Sequence, residues 1–150
     1  MLKNVAAKLF KEEALAFMKK IWTNGCYDIL HVGHIRLFEF AKSRGDSLIV
    51  GIDSDERVRL LKGNSRPINN QTDRVEMLLS NKYVDKVVVF SSEEEMCDLL
   101  LDNQISEIVI GNDYLGKKVV GETIVDSVVF FEKIDGYSTT SILREKNGTV

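Results

Sequence analysis

His31 and His34 are the only two histidines of this 150-residue chain, and they share one short stretch, His31-Val32-Gly33-His34. It is reached through Asn24-Gly25-Cys26-Tyr27-Asp28, which follows the apolar Ile21-Trp22-Thr23. Gly25 would let the backbone come close to a ligand, and the three-residue spacing puts both imidazoles on one face of a helix that starts beside them. Gly33 leaves room for a phosphate at that helix N-terminus, where free N–H groups and the helix dipole favour negative charge. The chemistry this suggests is hydrogen-bond donation to phosphoryl oxygens. Either histidine alone would read more simply as a helix cap, and a metal pair would lack a third ligand nearby. Their concentration behind one strand favours phosphate.

Three further groups fit the same chemistry. Asp135-Gly136-Tyr137-Ser138-Thr139-Thr140 follows the apolar Val128–Phe131. Its three hydroxyls could cap a helix or hold a terminal phosphate. Gly111-Asn112-Asp113-Tyr114 follows Glu107–Ile110. Lys62, Arg66 and Arg74 gather positive charge around the loop Lys62-Gly63-Asn64-Ser65-Arg66-Pro67. Alone, that loop reads as a solvated connector, and Arg74 could simply pair with its neighbour Asp73.

Each group needs a strand end to hold it. Strand patterns over Ile21–Thr23, Ser47–Ile52, Val87–Phe90, Glu107–Ile110 and Val128–Phe131 alternate with helical patterns over His34–Ser43, Asp55–Leu61, Thr72–Ser80, Ser92–Asn103 and Thr139–Glu145. Ser92 with Glu95 suggests a capping box. Residues 4–18 suggest an amphipathic helix leading into the domain. This alternation implies right-handed crossovers, hence an α/β, Rossmann-like three-layer fold with a mostly parallel five-stranded sheet and helices on both faces. Such sheets bind ligands beyond the carboxyl ends of their strands, where the histidine, hydroxyl and Gly111–Tyr114 groups fall; the basic loop follows a strand–helix unit. One domain over 1–150 is expected, with a helical extension over 1–19 and a core over 20–146.

Composition narrows the function classes. Hydrophobic residues make up 44% and charged residues 29% of the chain, as in ordinary globular proteins. A net charge of −3 argues against a general nucleic-acid binder. Cys26 and Cys97 are too far apart for a redox or zinc motif and suit a reducing compartment. No apolar run reaches the ~18 residues of a membrane span, and Lys8, Lys11, Glu12 and Glu13 interrupt any signal-peptide core. A cytoplasmic protein is expected. An oxidoreductase using a dinucleotide is disfavoured because no GxGxxG follows the first strand.

The order Asn24-Gly-Cys-Tyr-Asp-Ile-Leu-His-Val-Gly-His34, then Tyr137-Ser-Thr-Thr140, resembles the small nucleotidyltransferases with HxGH and STT motifs, the cytidylyltransferase-like superfamily, over residues 20–146. Leu61-Lys-Gly63, Arg66-Pro67, Val119-Val-Gly-Glu122 and Asp135-Gly136 make it most similar to bacterial heptose 1-phosphate adenylyltransferases. The resemblance implies attack of a sugar phosphate on the α-phosphorus of a nucleoside triphosphate, with release of pyrophosphate. His31, His34 and Lys62 would be catalytic. Asn24, Gly25, Cys26, Tyr27, Gly33, Arg74, Gly111, Asp113, Tyr137, Ser138, Thr139 and Thr140 would bind the nucleotide, and Asp28, Lys62 and Arg66 the acceptor. It also implies Mg²⁺ held mainly by phosphates, and a homodimer. Glycerol-3-phosphate cytidylyltransferases share both motifs and are the alternative. A nucleotide-binding regulator without turnover is a further one, which the intact histidines and hydroxyls disfavour.

Overall fold

Apolar runs flanked by turn residues become the strands of one sheet in the computed structural model, which describes residues 1–133. Helix α1 (Leu2–Ala16) precedes β1 (Lys20–Gly25), α2 (Val32–Ser43), β2 (Ser47–Asp53), α3 (Asp55–Lys62), α4 (Gln71–Leu79), β3 (Lys86–Phe90), α5 (Glu93–Asp102), β4 (Glu107–Gly111) and β5 (Ser127–Phe131). The five strands run in the order β3-β2-β1-β4-β5, and every pairing is parallel. The expected helix over Thr139–Glu145 lies outside the described residues.

The sheet is covered on both faces, so its central strands are apolar on both sides. Ile21, Leu48, Val50 and Ile52 pack with Phe38 and Ala41 of α2 and Leu78 of α4. On the opposite face, Trp22, Ile49 and Ile108 pack with Met96 and Leu100 of α5 and with Val119. Gly51 has no side chain because the Trp22 ring occupies that space. Side chains mark the helix starts. Ser54 accepts from the Arg57 N–H, Asn70 from that of Asp73, and Ser92 from that of Glu95. Glu95 in turn accepts from the Ser91 N–H at 2.7 Å, one residue before the cap.

Two features of this frame matter for the site. Strand β1 pairs with β2 from Lys20 to Gly25, but with β4 only at Ile21 and Trp22. Beyond Trp22 the β1–β4 ladder ends, and a crevice opens where the strand order changes direction, the usual ligand position in such sheets. At the opposite end of the sheet, Glu107 is buried and accepts hydrogen bonds from Arg44, Lys19 and Ser127. Helix α1 stands apart from this frame. The expected N-terminal helix is present, but it has no buried residue, and Val5, Leu9 and Phe10 are exposed, so its apolar side does not join the core. No helix among the described residues is long and apolar enough to cross a membrane.

Candidate active site

Four strands deliver residues to one cavity of about 500 Å³ at their carboxyl ends: Asn24 and Gly25 from β1, Asp53 from β2, Phe90 from β3, and Ile110 and Gly111 from β4. Of the residues singled out in the sequence, Asn24, Gly25, Cys26, Tyr27, His34, Lys62, Arg66, Gly111 and Asp113 line it. The expected hydroxyl cluster Tyr137, Ser138, Thr139 and Thr140 lies outside the described residues.

The turn after β1 is built around Tyr27, whose φ of 49° is in the left-handed region that side chains disfavour. Buried packing holds it there. The ring meets Phe38 edge-on at 5.2 Å and His34 at 5.0 Å, and its hydroxyl lies 3.3 Å from Thr23 Oγ1. Burial pushes the Tyr27 hydroxyl pKa up, so it stays protonated. Gly25 makes room for that ring, since a Cβ there would sit 3.2 Å from it. Burial also raises the Cys26 thiol pKa, which argues against a thiolate nucleophile.

His31 is the N-cap of α2, and Gly33 and His34 lie in the helix's first turn. The two imidazoles stack with centroids 3.7 Å apart, and His34 Nδ1 accepts the His31 backbone N–H at 3.3 Å. With Nδ1 accepting, the proton of neutral His34 sits on Nε2, which is then a donor. Capping and phosphate binding are therefore compatible roles for one ring. Burial, followed by His31, Lys133 and Lys62, pulls the His34 pKa down to about 3. Burial and Lys133 lower that of His31. Both imidazoles are neutral donors at neutral pH.

Asp28 and Arg74, expected to touch ligands, are buried and do not line the cavity. Asp28 accepts from Arg66 Nε and from the Ile68 and Asn69 N–H groups, each at 2.8 Å. Burial alone would raise its carboxyl pKa, but these bonds outweigh it and hold it below the ordinary value. Arg74 donates to the carbonyls of Asn69, Cys26 and Asp53 and to the Asp55 carboxylate, at 2.8 to 3.0 Å. The ion pair considered for it was with Asp73; the partner is Asp55, across from α3. Together these two residues tie the β1 turn, the end of β2 and the 66–69 loop into one unit.

The cavity wall carries Arg57, Lys62, Arg66, Lys118 and Lys133 against Asp53, Glu93 and Asp113, a basic excess in an acidic chain. Arg57 pairs with Asp53 at 2.8 Å, and Lys133 with Asp113 at 3.0 Å. Lys62 and Lys118 make no ion pair among the described residues. Arg57, Asp53, Lys118 and Lys133 were not singled out in the sequence. The position of Asp53 and Lys133 just after strands was the available signal. No group of three or more His, Cys, Asp or Glu that could hold a metal occurs among the described residues.

Residues 22–145 match a family model described as cytidylyltransferase-like. The chain is 48% identical over 126 residues to the bifunctional protein HldE of Aliarcobacter butzleri, a match covering 84% of this chain and 26% of that protein. It is 43% identical over 142 residues to the protein of the same name from Wolinella succinogenes, covering 95% and 30%. The chain thus spans about a quarter to a third of the length of these relatives. Its fold is similar to that of a lipopolysaccharide core biosynthesis protein from Thermoplasma volcanium, with a TM-score of 0.65, 25% identity, and coverage of 79% of this chain and 99% of that one.

Proposed function

The chain belongs to the cytidylyltransferase-like family, and on that premise we propose that it transfers a nucleoside monophosphate from a nucleoside triphosphate to a sugar phosphate. The donor is ATP, the acceptor heptose 1-phosphate, and the products ADP-heptose and pyrophosphate. An acceptor phosphate oxygen attacks the α-phosphorus; the bond from the α-phosphorus to the bridging oxygen breaks, and pyrophosphate leaves with the electron pair. The attacking group is already an anion, so no strong base is needed. Catalysis is positioning and stabilisation of charge that grows on the phosphoryl oxygens.

One observation carries this reading: a neutral His34, its tautomer set by the His31 N–H, on the wall of a basic cavity at the switch point of the sheet. His34 donates from Nε2 to the α-phosphate, and His31 supports it. Lys62 draws the two phosphate groups together. Gly111 and Asp113 lie beside the nucleotide, while Asp28 and Arg74 keep the surrounding loops in register. The acids on the cavity wall at Asp53 and Asp113 are already paired with Arg57 and Lys133. That donor set fits a magnesium ion carried by phosphate oxygens and water, which would neutralise triphosphate charge.

The names of the relatives, a bifunctional HldE and a lipopolysaccharide core biosynthesis protein, support a sugar acceptor. Unbridged Cys26 and Cys97 support a cytoplasmic enzyme. A homodimer is expected and is read by light scattering. The functional test assays ATP and CTP, each against heptose 1-phosphate and glycerol 3-phosphate, by pyrophosphate release. Turnover of ATP with heptose 1-phosphate is the expected result. Turnover confined to CTP with glycerol 3-phosphate moves the assignment to that transferase, and none with any pair overturns it.

A further inference from the structure

We infer that Arg57, held between Asp53 and Phe90, is the residue that selects the sugar-phosphate acceptor and does not serve the nucleotide. This rests on the transferase function proposed above. The cavity has two sides about β1. The histidine turn and Gly111–Asp113 flank the crevice between β1 and β4, where the nucleotide is assigned. The other side, beyond β2 and β3, is closed by Asp53, Arg57, Phe90 and Glu93.

This second wall is rigidly built. Asp53 and Phe90 are register partners at the ends of β2 and β3. Phe90 is buried, and its ring lies 6.4 Å from that of Trp22. Arg57 donates from Nε to Asp53 Oδ1 at 2.8 Å, and its guanidinium carbon lies 5.7 Å from the Phe90 ring centroid. Its plane is thus fixed by a carboxylate on one edge and supported by an aromatic ring. Among the described residues, the terminal nitrogens of Arg57 make no further hydrogen bond, nor does Asp53 Oδ2.

Terminal guanidinium nitrogens beside a carboxylate oxygen present donors and an acceptor together. A polyhydroxylated phosphate ester offers the matching set: anionic oxygens for Arg57 and hydroxyl groups for Asp53. Lys62, assigned to phosphate, ends the same helix α3 that carries Arg57, and both cations line the cavity.

The test determines KM for heptose 1-phosphate and for ATP in wild type, Arg57→Met and Arg57→Lys, with calorimetric titration of each compound. Arg57→Met should raise the acceptor KM and Kd by about tenfold or more, with the ATP constants held within about twofold; Arg57→Lys should restore part of the loss, because it keeps charge but not the two-pronged contact. Should Arg57→Met fail to melt cooperatively, Arg57→Lys carries the comparison. Acceptor constants unchanged in an active variant, or ATP constants rising in step, overturn the inference alone. A wild-type protein that binds ATP and no sugar phosphate overturns the proposed acceptor with it.

Discussion

The His34 imidazole lies 3.7 Å from that of His31, with the two planes inclined by 21°, and its Nδ1 accepts the His31 backbone N–H. One side chain thereby caps the helix and fixes its own tautomer. Replacing His34 by alanine should lower kcat by ~10²–10³ with a smaller change in the ATP KM, as for loss of one pre-positioned donor. His34→Gln can still donate a hydrogen bond and should lose less. The double variant with His31→Ala should fall well short of the product of the single losses, because His31 acts through His34. Single-turnover rates within threefold of wild type for both single variants would return the histidines to a capping role.

Acid should weaken the fold through the same pair. The ordinary histidine value is 6.5, and His34 in the folded protein is down at about 3. Between those values the unfolded chain binds more protons than the folded one. Stability is therefore full above pH 6.5 and falls as pH drops toward 3. The limiting slope is about 1.4 kcal/mol per pH unit for one such group. Among the described residues, Glu107 joins only below its ordinary 4.5. Urea denaturation between pH 6.5 and 4.5 should show a shallower slope for His34→Gln than for wild type. Identical slopes would assign the acid sensitivity elsewhere.

Removing Arg74 would leave the carbonyls of Asn69, Cys26 and Asp53 and the Asp55 carboxylate without their donor. Arg74→Met should cost about 3–5 kcal/mol, the range for breaking a buried ionic network. Arg74→Lys should recover only part of that, since one ammonium cannot span all four acceptors. The discriminating measurement sets urea melts beside the ATP KM. A raised KM with undiminished stability would make Arg74 a ligand-binding cation after all.

Glu107 offers a contrast at the far end of the sheet. The hydrogen bond from Arg44, with help from Ser127 and Lys19, holds its carboxyl at about 2 against an ordinary 4.5. That contribution is complete above pH 4.5 and fades as pH falls toward 2. Glu107→Gln should destabilise by about 1.5–3 kcal/mol, the range for hydrogen bonds to a charged group. Arg44 and Lys19 can rehydrate, which keeps the cost below that expected for Arg74. Steady-state kinetics below the melting temperature should match wild type. A large KM change would mean that the two ends of the sheet are coupled.

Local pattern made the sheet legible. The Ser47–Ile52 run is apolar on both faces, and the motif residues fall just after strands, where the cavity indeed lies. Arg57 was missed because a cation inside an amphipathic helix looks the same whether it faces water or a cavity. The burial of Asp28 and Arg74 was hidden for a different reason. Most of their partners are backbone groups of Ile68, Asn69, Cys26 and Asp53, and a backbone carbonyl or amide leaves no mark in a sequence. Chemistry was readable where side chains meet a ligand, and obscure where they hold the chain's own backbone.

The early end of the β1–β4 ladder gives the sheet a mechanical weak line. Two registered pairs join these strands, at Ile21 and Trp22, while β1 is matched to β2 along its whole length. The ladders on either side are longer, so the halves should behave as stiffer plates and the join between them as the compliant part. A molecule lying across the crevice touches both plates and acts as the rungs the ladder lacks. Occupancy should therefore stiffen the protein well beyond the contact surface, slowing amide exchange along the upper parts of β1 and β4 together.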